Sequence, residues 1–119
     1  MEIFKLKNKK HKFKSSFGSY RIYLVGGLTI DNLNLLKVKL TKINTGEIIS
    51  LTEIIWKPAE YITGEKALAY YEFEITESND YEIEFDNIES LRIKKSRLFF
   101  KNLIFSSSVS LEDIKIAIK

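Results

Sequence analysis

The stretch YEFEITESNDYEIEF, residues 71–85, alternates apolar and acidic side chains on both sides of a polar centre. Alternation with a period of two is typical of a β-strand that has one buried and one exposed face. The polar centre, Ser78-Asn79-Asp80, fits a three-residue hairpin loop, because Asn and Asp tolerate the left-handed conformation that such loops need. The stretch therefore predicts a β-hairpin in which Ile75 faces Ile83.

In that register four glutamates share the outer face of the hairpin: Glu72, Glu74, Glu82 and Glu84. Like charges that lie opposite each other repel, so the array must be neutralised or must form a working site. Two carboxylates about 5–10 Å apart are the groups that hydrolyse glycosides, but they need a cleft and two unequal environments. A strand-period array on a solvent face lacks both, which favours a charged sheet surface over a catalytic site.

The same alternation runs through most of the chain and predicts about eight short strands. Residues 48–56 break it, which indicates a bulge or burial on both faces. We expect a long loop at 58–66, a strand over 90–105, a serine-rich connector at 106–110 and a final strand from Ile114 to Ile118. Short strands separated by turns favour an antiparallel β-sandwich, immunoglobulin-like or jelly-roll-like, with a small closed barrel as the alternative.

The length and composition are those of one globular domain, residues 1–119. The chain contains no cysteine, which excludes disulfides, thiolate metal sites and cysteine nucleophiles. No apolar run approaches the ~18 residues needed to cross a bilayer, and the N-terminus does not resemble a secretory signal. We therefore expect a cytoplasmic protein without a transmembrane segment.

Catalytic and cofactor motifs are weak throughout the sequence. His11 is the single histidine, and it lies among lysines with no second ligand at metal spacing, so we expect it to be solvated. A Ser-His-Asp triad would have to use that histidine. The glycine-containing turns have neither the spacing nor the following helix of a phosphate loop. The sequence therefore predicts no enzyme activity, no metal and no cofactor.

The basic segment, KLKNKKHKFK at residues 5–14, is the most prominent charged stretch of the sequence. The first thirty residues carry a net charge of +6, whereas residues 31–119 carry −3. Such a segment can steer an acidic protein partner, or it can protect an edge strand from aggregation. Nucleic acid is a less suitable partner, because the region has one arginine for bidentate base reading. We expect a hairpin with exposed lysines, and partner binding by Lys5, Lys7, Lys9, Lys10, Lys12, Lys14, Phe13, Phe17 and Tyr20.

Aromatic residues cluster around the predicted loop at 58–66. Trp56, Tyr61 and Tyr70 flank it or lie within it, and flat rings near polar side chains can form a platform on which a sugar stacks. A single tryptophan in a β domain is also a common core residue. The sequence thus favours a non-catalytic binding domain, a protein-interaction module of the inhibitor or immunity type. The alternative is a carbohydrate-binding module that uses Trp56 and Tyr61.

Overall fold

The computed structural model describes residues 1–98, 104–108 and 111–119. Antiparallel strands dominate it, and two sheets pack face to face, which confirms the predicted all-β sandwich. The described residues form thirteen strands, because several predicted strands are divided into short segments that join different sheets. Single 3-10 turns connect some of them, at Leu6–Asn8, Leu33–Leu35, Ile88–Ser90 and Leu111–Asp113.

The first sheet is built around the long strand β9, Glu65–Ile75. On one side it continues through β3, β13 and β1, in that order. On the other side two short strands, β7 and β8, pair with different parts of β9. The bounds of these strands are β1 Glu2–Lys5, β3 Gly18–Val25, β7 Thr52–Glu53, β8 Ala59–Ile62 and β13 Lys115–Ile118.

The second sheet has the order β2-β10-β5-β6, and a third, smaller sheet has the order β12-β11-β4. The second sheet consists of β2 Lys10–Ser15, β5 Lys37–Lys42, β6 Ile48–Ile49 and β10 Asn79–Asp86. The third consists of β4 Leu28–Ile30, β11 Ile93–Leu98 and β12 Ile104–Ser108. The main core contains the inward side chains of the first two sheets, among them Ile22, Leu24, Phe73, Leu40, Ile83 and Phe85.

Residues 71–85 do not form the predicted hairpin. Strand β9 pairs with β3, whereas β10 pairs with β2 and β5, so the chain crosses from one sheet to the other between Ile75 and Asn79. An ion pair between the buried Lys42 and Glu77 secures this crossing, and the Tyr81 hydroxyl donates to the Glu77 carbonyl (2.8 Å).

The faces of this stretch are nevertheless as predicted. Phe73, Ile75, Tyr81, Ile83 and Phe85 are all buried, and the glutamates point away from the core. Because β9 and β10 belong to different sheets, Glu72 and Glu74 lie on one outer surface of the sandwich, and Glu82 and Glu84 lie on the other. The expectation that the four carboxylates share a face was therefore wrong.

The basic segment does not form a hairpin either. Its first residues belong to β1 and a 3-10 turn, and its last residues form β2 in the opposite sheet. His11 connects the two edges, since its Nε2 lies 3.0 Å from the Glu2 carboxylate and its ring stacks on Phe4 at 4.3 Å. The histidine is half-buried rather than solvated.

The predicted loop at 58–66 and the predicted strand over 90–105 also differ from the structure. Residues 58–66 form the β8–β9 hairpin, which turns at Thr63 and Gly64 with φ of 51° and 82°. Positive φ at both central residues is the geometry of a tight two-residue hairpin turn. The predicted strand over 90–105 is two paired strands, β11 and β12, and 106–108 of the connector belong to β12. Residues 99–103 and 109–110 of these two predictions lie outside the described residues.

Candidate functional site

The lysines of β2 face the carboxylates of β10 on the outer surface of the second sheet. Strand β10 is also opposed by lysines of β5 on its other side, so its acids lie between two basic strands. Opposite charges on neighbouring strands attract, so this register offsets the repulsion among the acids of β10, although none of these pairs forms an ion-pair contact among the described residues. The register gives the pairs Lys10 with Glu84, Lys12 with Glu82, Lys14 with Asp80, Lys39 with Glu84 and Lys37 with Asp86.

The other lysines of the basic segment lie at the end of the sandwich. Lys5 and Lys7 are exposed, whereas Lys9 forms an ion pair with Glu89 at 2.6 Å. The hydrogen bond from Lys9 holds the pKa of the Glu89 carboxyl below its usual value. Among the lysines of the basic segment, Lys9 is the one that forms an ion pair with another described residue, and the others keep solvent-facing ammonium groups.

The three aromatic residues predicted to anchor a partner near this segment occupy different environments. Phe13 is buried in the core against Tyr81, with ring centroids 6.2 Å apart, so its ring is not available at the surface. Tyr20 is half-buried and stacks on Phe73, and its hydroxyl donates to the Ser16 carbonyl (2.8 Å). Phe17 alone of the three is exposed, at 78%.

The predicted sugar platform is divided in a similar way. Tyr70 is buried in the core and donates its hydroxyl to the Leu28 carbonyl (3.3 Å), and burial raises its pKa. Trp56 is 90% exposed and Tyr61 is 74% exposed. Next to Trp56, Ile55 is 84% exposed, and sequence reasoning did not single it out as a surface residue.

A bulge in the edge of the first sheet explains the exposure of Ile55 and Trp56. The Ile54 N–H donates to the Tyr70 carbonyl (2.9 Å), and the Ala69 N–H donates to the Pro58 carbonyl (3.0 Å). Residues 54 and 58 therefore bond to neighbouring residues of β9, and residues 55–57 are displaced from the edge between them. We call residues 55–57 the Ile55–Trp56 bulge.

The bulge is held in place by its own lysine. The Lys57 Nζ donates to the Ile54 carbonyl (3.0 Å) and lies 5.1 Å from the centre of the buried Tyr70 ring. The opposite side of β9 has a bulge at the same level, because its register with β3 shifts between Ile22 and Tyr23. Tyr70 therefore supports the bulge with both its backbone and its ring.

Strand β8, which follows the bulge, is fixed by polar contacts to the neighbouring strands. The Glu60 carboxylate accepts hydrogen bonds from the Lys119 ammonium (2.6 Å) and the Tyr23 hydroxyl (2.9 Å). The Lys119 bond and then the Tyr23 bond lower the pKa of Glu60. Glu65 is likewise engaged, by Lys115 at 3.0 Å. Both carboxylates near the exposed aromatic rings are thus occupied within the protein.

The outer glutamates of β9 line an open groove of about 800 Å³. Glu72 lies across from Arg21 in the register of β3 and β9, and Glu74 lies across from Ser19. Both carboxylates are exposed to solvent.

No family model matches this chain. No curated protein and no solved structure is significantly similar to it either. In residues 1–98, 104–108 and 111–119, no group of His, Asp or Glu is arranged to hold a metal ion. Within the same ranges, no helix is long and apolar enough to span a membrane.

Proposed function

We propose that this protein is a non-catalytic protein-binding domain whose main contact surface is the Ile55–Trp56 bulge. The observation that carries the proposal is that a tryptophan and a neighbouring isoleucine are 90% and 84% exposed on a turn that is fixed to the sheet. Tryptophan is enriched among the few interface residues that dominate binding, each of which contributes about 2 kcal/mol or more.

The rigidity of the bulge supports this proposal. Ordering a mobile side chain or loop on binding costs about 0.5–1.5 kcal/mol per residue, which reduces affinity. Here the Lys57 contacts and the two backbone bonds to β9 order the turn before a partner arrives. A partner would therefore bury Trp56 without first having to fix its loop.

A protein surface suits the bulge better than a sugar. Ile55 offers neither a flat ring nor a hydrogen bond to a saccharide, and Glu60 and Glu65 are engaged by lysines. Sugar recognition is the second candidate, because the rings of Trp56 and Tyr61 are both exposed near one edge of the sheet.

We include three further statements in the same proposal. The protein acts as an inhibitor or immunity-type protein, its partner is acidic, and it is located in the cytoplasm. A small rigid domain can act by covering a functional surface of its partner. The net charge of +3 and the exposed Lys5 and Lys7 would favour encounter with an acidic protein. A sequence without cysteine suits the reducing cytoplasm.

The test compares two variants that each remove exposed apolar surface. The first replaces Ile55 and Trp56 with serine, and the second replaces Phe17, the exposed aromatic at the lysine-rich end of the sandwich. Wild type and both variants serve as bait in the native host at low and high salt, and purified candidate partners are then titrated by calorimetry. We expect the bulge variant to lose its partner and Phe17→Ser to keep it.

The reverse result would move the contact surface to the basic segment and overturn the proposal. To test the second candidate, each oligosaccharide of a panel is titrated into the protein while the fluorescence of Trp56 is measured. A saturable change with a sugar, together with no protein partner, would replace protein binding by carbohydrate binding.

A further inference from the structure

Strand β8 has a free backbone edge beside the Ile55–Trp56 bulge. It pairs with β9 on one side, and no strand among the described residues pairs with its other side. Ala59 and Tyr61 are exposed, and no backbone hydrogen bond among the described residues uses the outward side of β8. An accessible strand edge is a template for the backbone of another chain.

The register identifies the backbone groups that face outward. Ile62 closes onto Glu65 across the two-residue turn, and Pro58 accepts a bond from Ala69. In an antiparallel pair, alternate residues bond to the neighbouring strand. Glu60 therefore also bonds to β9, and the N–H and C=O groups of Ala59 and Tyr61 point away from it.

The charges beside this edge favour an acidic segment. Lys57 is fixed at the start of β8, and Lys66 lies across from the exposed Tyr61 in the register of β8 and β9. Of the nearby acids, Glu60 and Glu65 are paired with lysines, and Glu53 lies on the far side of the bulge, in β7. The single charge of β8, Glu60, is thus paired, and the positive charge beside the strand comes from Lys57 and Lys66.

We propose that the partner adds an extended segment to the free edge of β8. This inference rests on the proposed protein-binding function and specifies its mode. The partner's backbone bonds to Ala59 and Tyr61, an apolar side chain packs against Trp56, and acidic side chains approach Lys57 and Lys66. In such complexes the backbone bonds supply affinity and alternate side chains supply specificity.

Edge protection is the competing explanation for a short edge strand with a bulge. Protected edges carry lysine, proline or inward-pointing charge. Lysine and proline are both present here, at residues 57 and 58, but both are half-buried, and the residues exposed along this edge are Ile55, Trp56, Ala59 and Tyr61. Exposed apolar side chains next to free backbone donors invite pairing instead of preventing it.

The test uses the full chain and synthetic nine-residue peptides of alternating valine and threonine, with either glutamates or lysines at both ends. Binding is followed by the fluorescence of Trp56, and amide hydrogen exchange is measured by NMR with and without peptide. We expect the glutamate peptide to bind about tenfold more tightly than the lysine peptide at low salt. It should slow exchange of the Ala59 and Tyr61 amides and leave those of Glu60 and Ile62, already bonded to β9, unchanged.

Two pairs of variants control for the backbone and for charge. Ala59→Pro removes one outward N–H and should weaken the glutamate peptide by about fivefold, the effect of one hydrogen bond, whereas Ala59→Thr keeps that N–H and should bind normally. Lys66→Gln removes a charge beside β8 and leaves the Lys57 contacts of the bulge intact, and it should reduce the preference for the glutamate peptide. Lys39→Gln, in the second sheet, removes an equal charge and should keep the preference.

Three results would overturn strand addition. They are failure of both peptides to bind, a fluorescence change without protection of Ala59 and Tyr61, and protection that appears with rising protein concentration in the absence of peptide. The last result would assign the edge to a second copy of the chain. None of them affects the partner test with the bulge variant, so failure of this mode is distinguishable from failure of the proposed function.

Discussion

Reversing the charge of Glu84 should destabilise the protein, because this residue lies between two lysines on neighbouring strands. Lys10 of β2 and Lys39 of β5 are its direct cross-strand neighbours. Each such pair contributes about 0.2–1 kcal/mol when the charges are opposite and costs a similar amount when they are alike. Glu84→Lys replaces two attractions with two repulsions, so we expect a loss of about 1–4 kcal/mol in the free energy of unfolding.

Urea denaturation at about 10 mM and about 1 M salt measures this effect, since the screening length falls from about 30 Å to 3 Å over that range. The loss should be largest at low salt, and exchanging Lys10 for glutamate in the same chain should recover part of it. Glu74→Lys is the matched control, because Glu74 lies across from Ser19, and it should change stability by less than about 0.5 kcal/mol. Equal stability of the two reversed variants, or a loss independent of salt, would refute the charge-pairing argument.

Five further substitutions test the core, the ion pair between Lys42 and Glu77, and two titrating groups. Phe85→Ala should cost about 3–5 kcal/mol in urea denaturation, since the ring is buried between the sheets. Glu77→Gln should destabilise more than Lys42→Met in the same assay, because it leaves a buried ammonium unpaired whereas methionine removes the charge. Burial, with the Glu53 carboxylate nearby, raises the pKa of Tyr71 to about 12. The stability that the neutral phenol contributes is therefore complete below pH 10 and lost as the pH rises toward 12. Over that range the stability of Tyr71→Phe, followed by circular dichroism, should fall less steeply with pH than that of wild type. The hydrogen bonds to Glu60 lower its pKa, so its contribution to stability is present above pH 4.5 and lost as the pH falls through its pKa in the folded protein. Glu60→Gln should therefore have a lower melting temperature than wild type at pH 7 and an equal one in strong acid.

Side-chain alternation predicted which residues face the core but not which strands pair. The period of two fixes the face of Phe73 and Ile83 wherever their strands lie, and both are buried. Pairing depends on residues far away in sequence. Strand β10 lies between β2 and β5, whose residues are about 40–70 positions away along the chain, instead of against β9.

The exposed bulge was only partly predictable from the sequence. The break in alternation at 48–56 indicates a bulge or burial on both faces, and the structure has a bulge at 55–57; Trp56 and Tyr61, the predicted platform residues, are both exposed. The exposure of Ile55 depends on two hydrogen bonds to adjacent residues of β9, which no local pattern encodes. The β8–β9 hairpin did have a local signal, since Thr63-Gly64 repeats the Thr45-Gly46 pair in the connection between β5 and β6.

The position of β13 in the first sheet constrains how the protein can fold during synthesis. Strand β1 pairs with β13 alone among the described strands, so Glu2 meets Ile118 only after more than a hundred further residues have been translated. Because translation adds about 5–20 residues per second, β1 would lack its partner strand β13 for on the order of ten seconds. The lysines that follow β1 would keep this unpaired segment soluble during translation and prevent it from pairing with other chains. This effect on the nascent chain is separate from any role of the lysines in the folded domain.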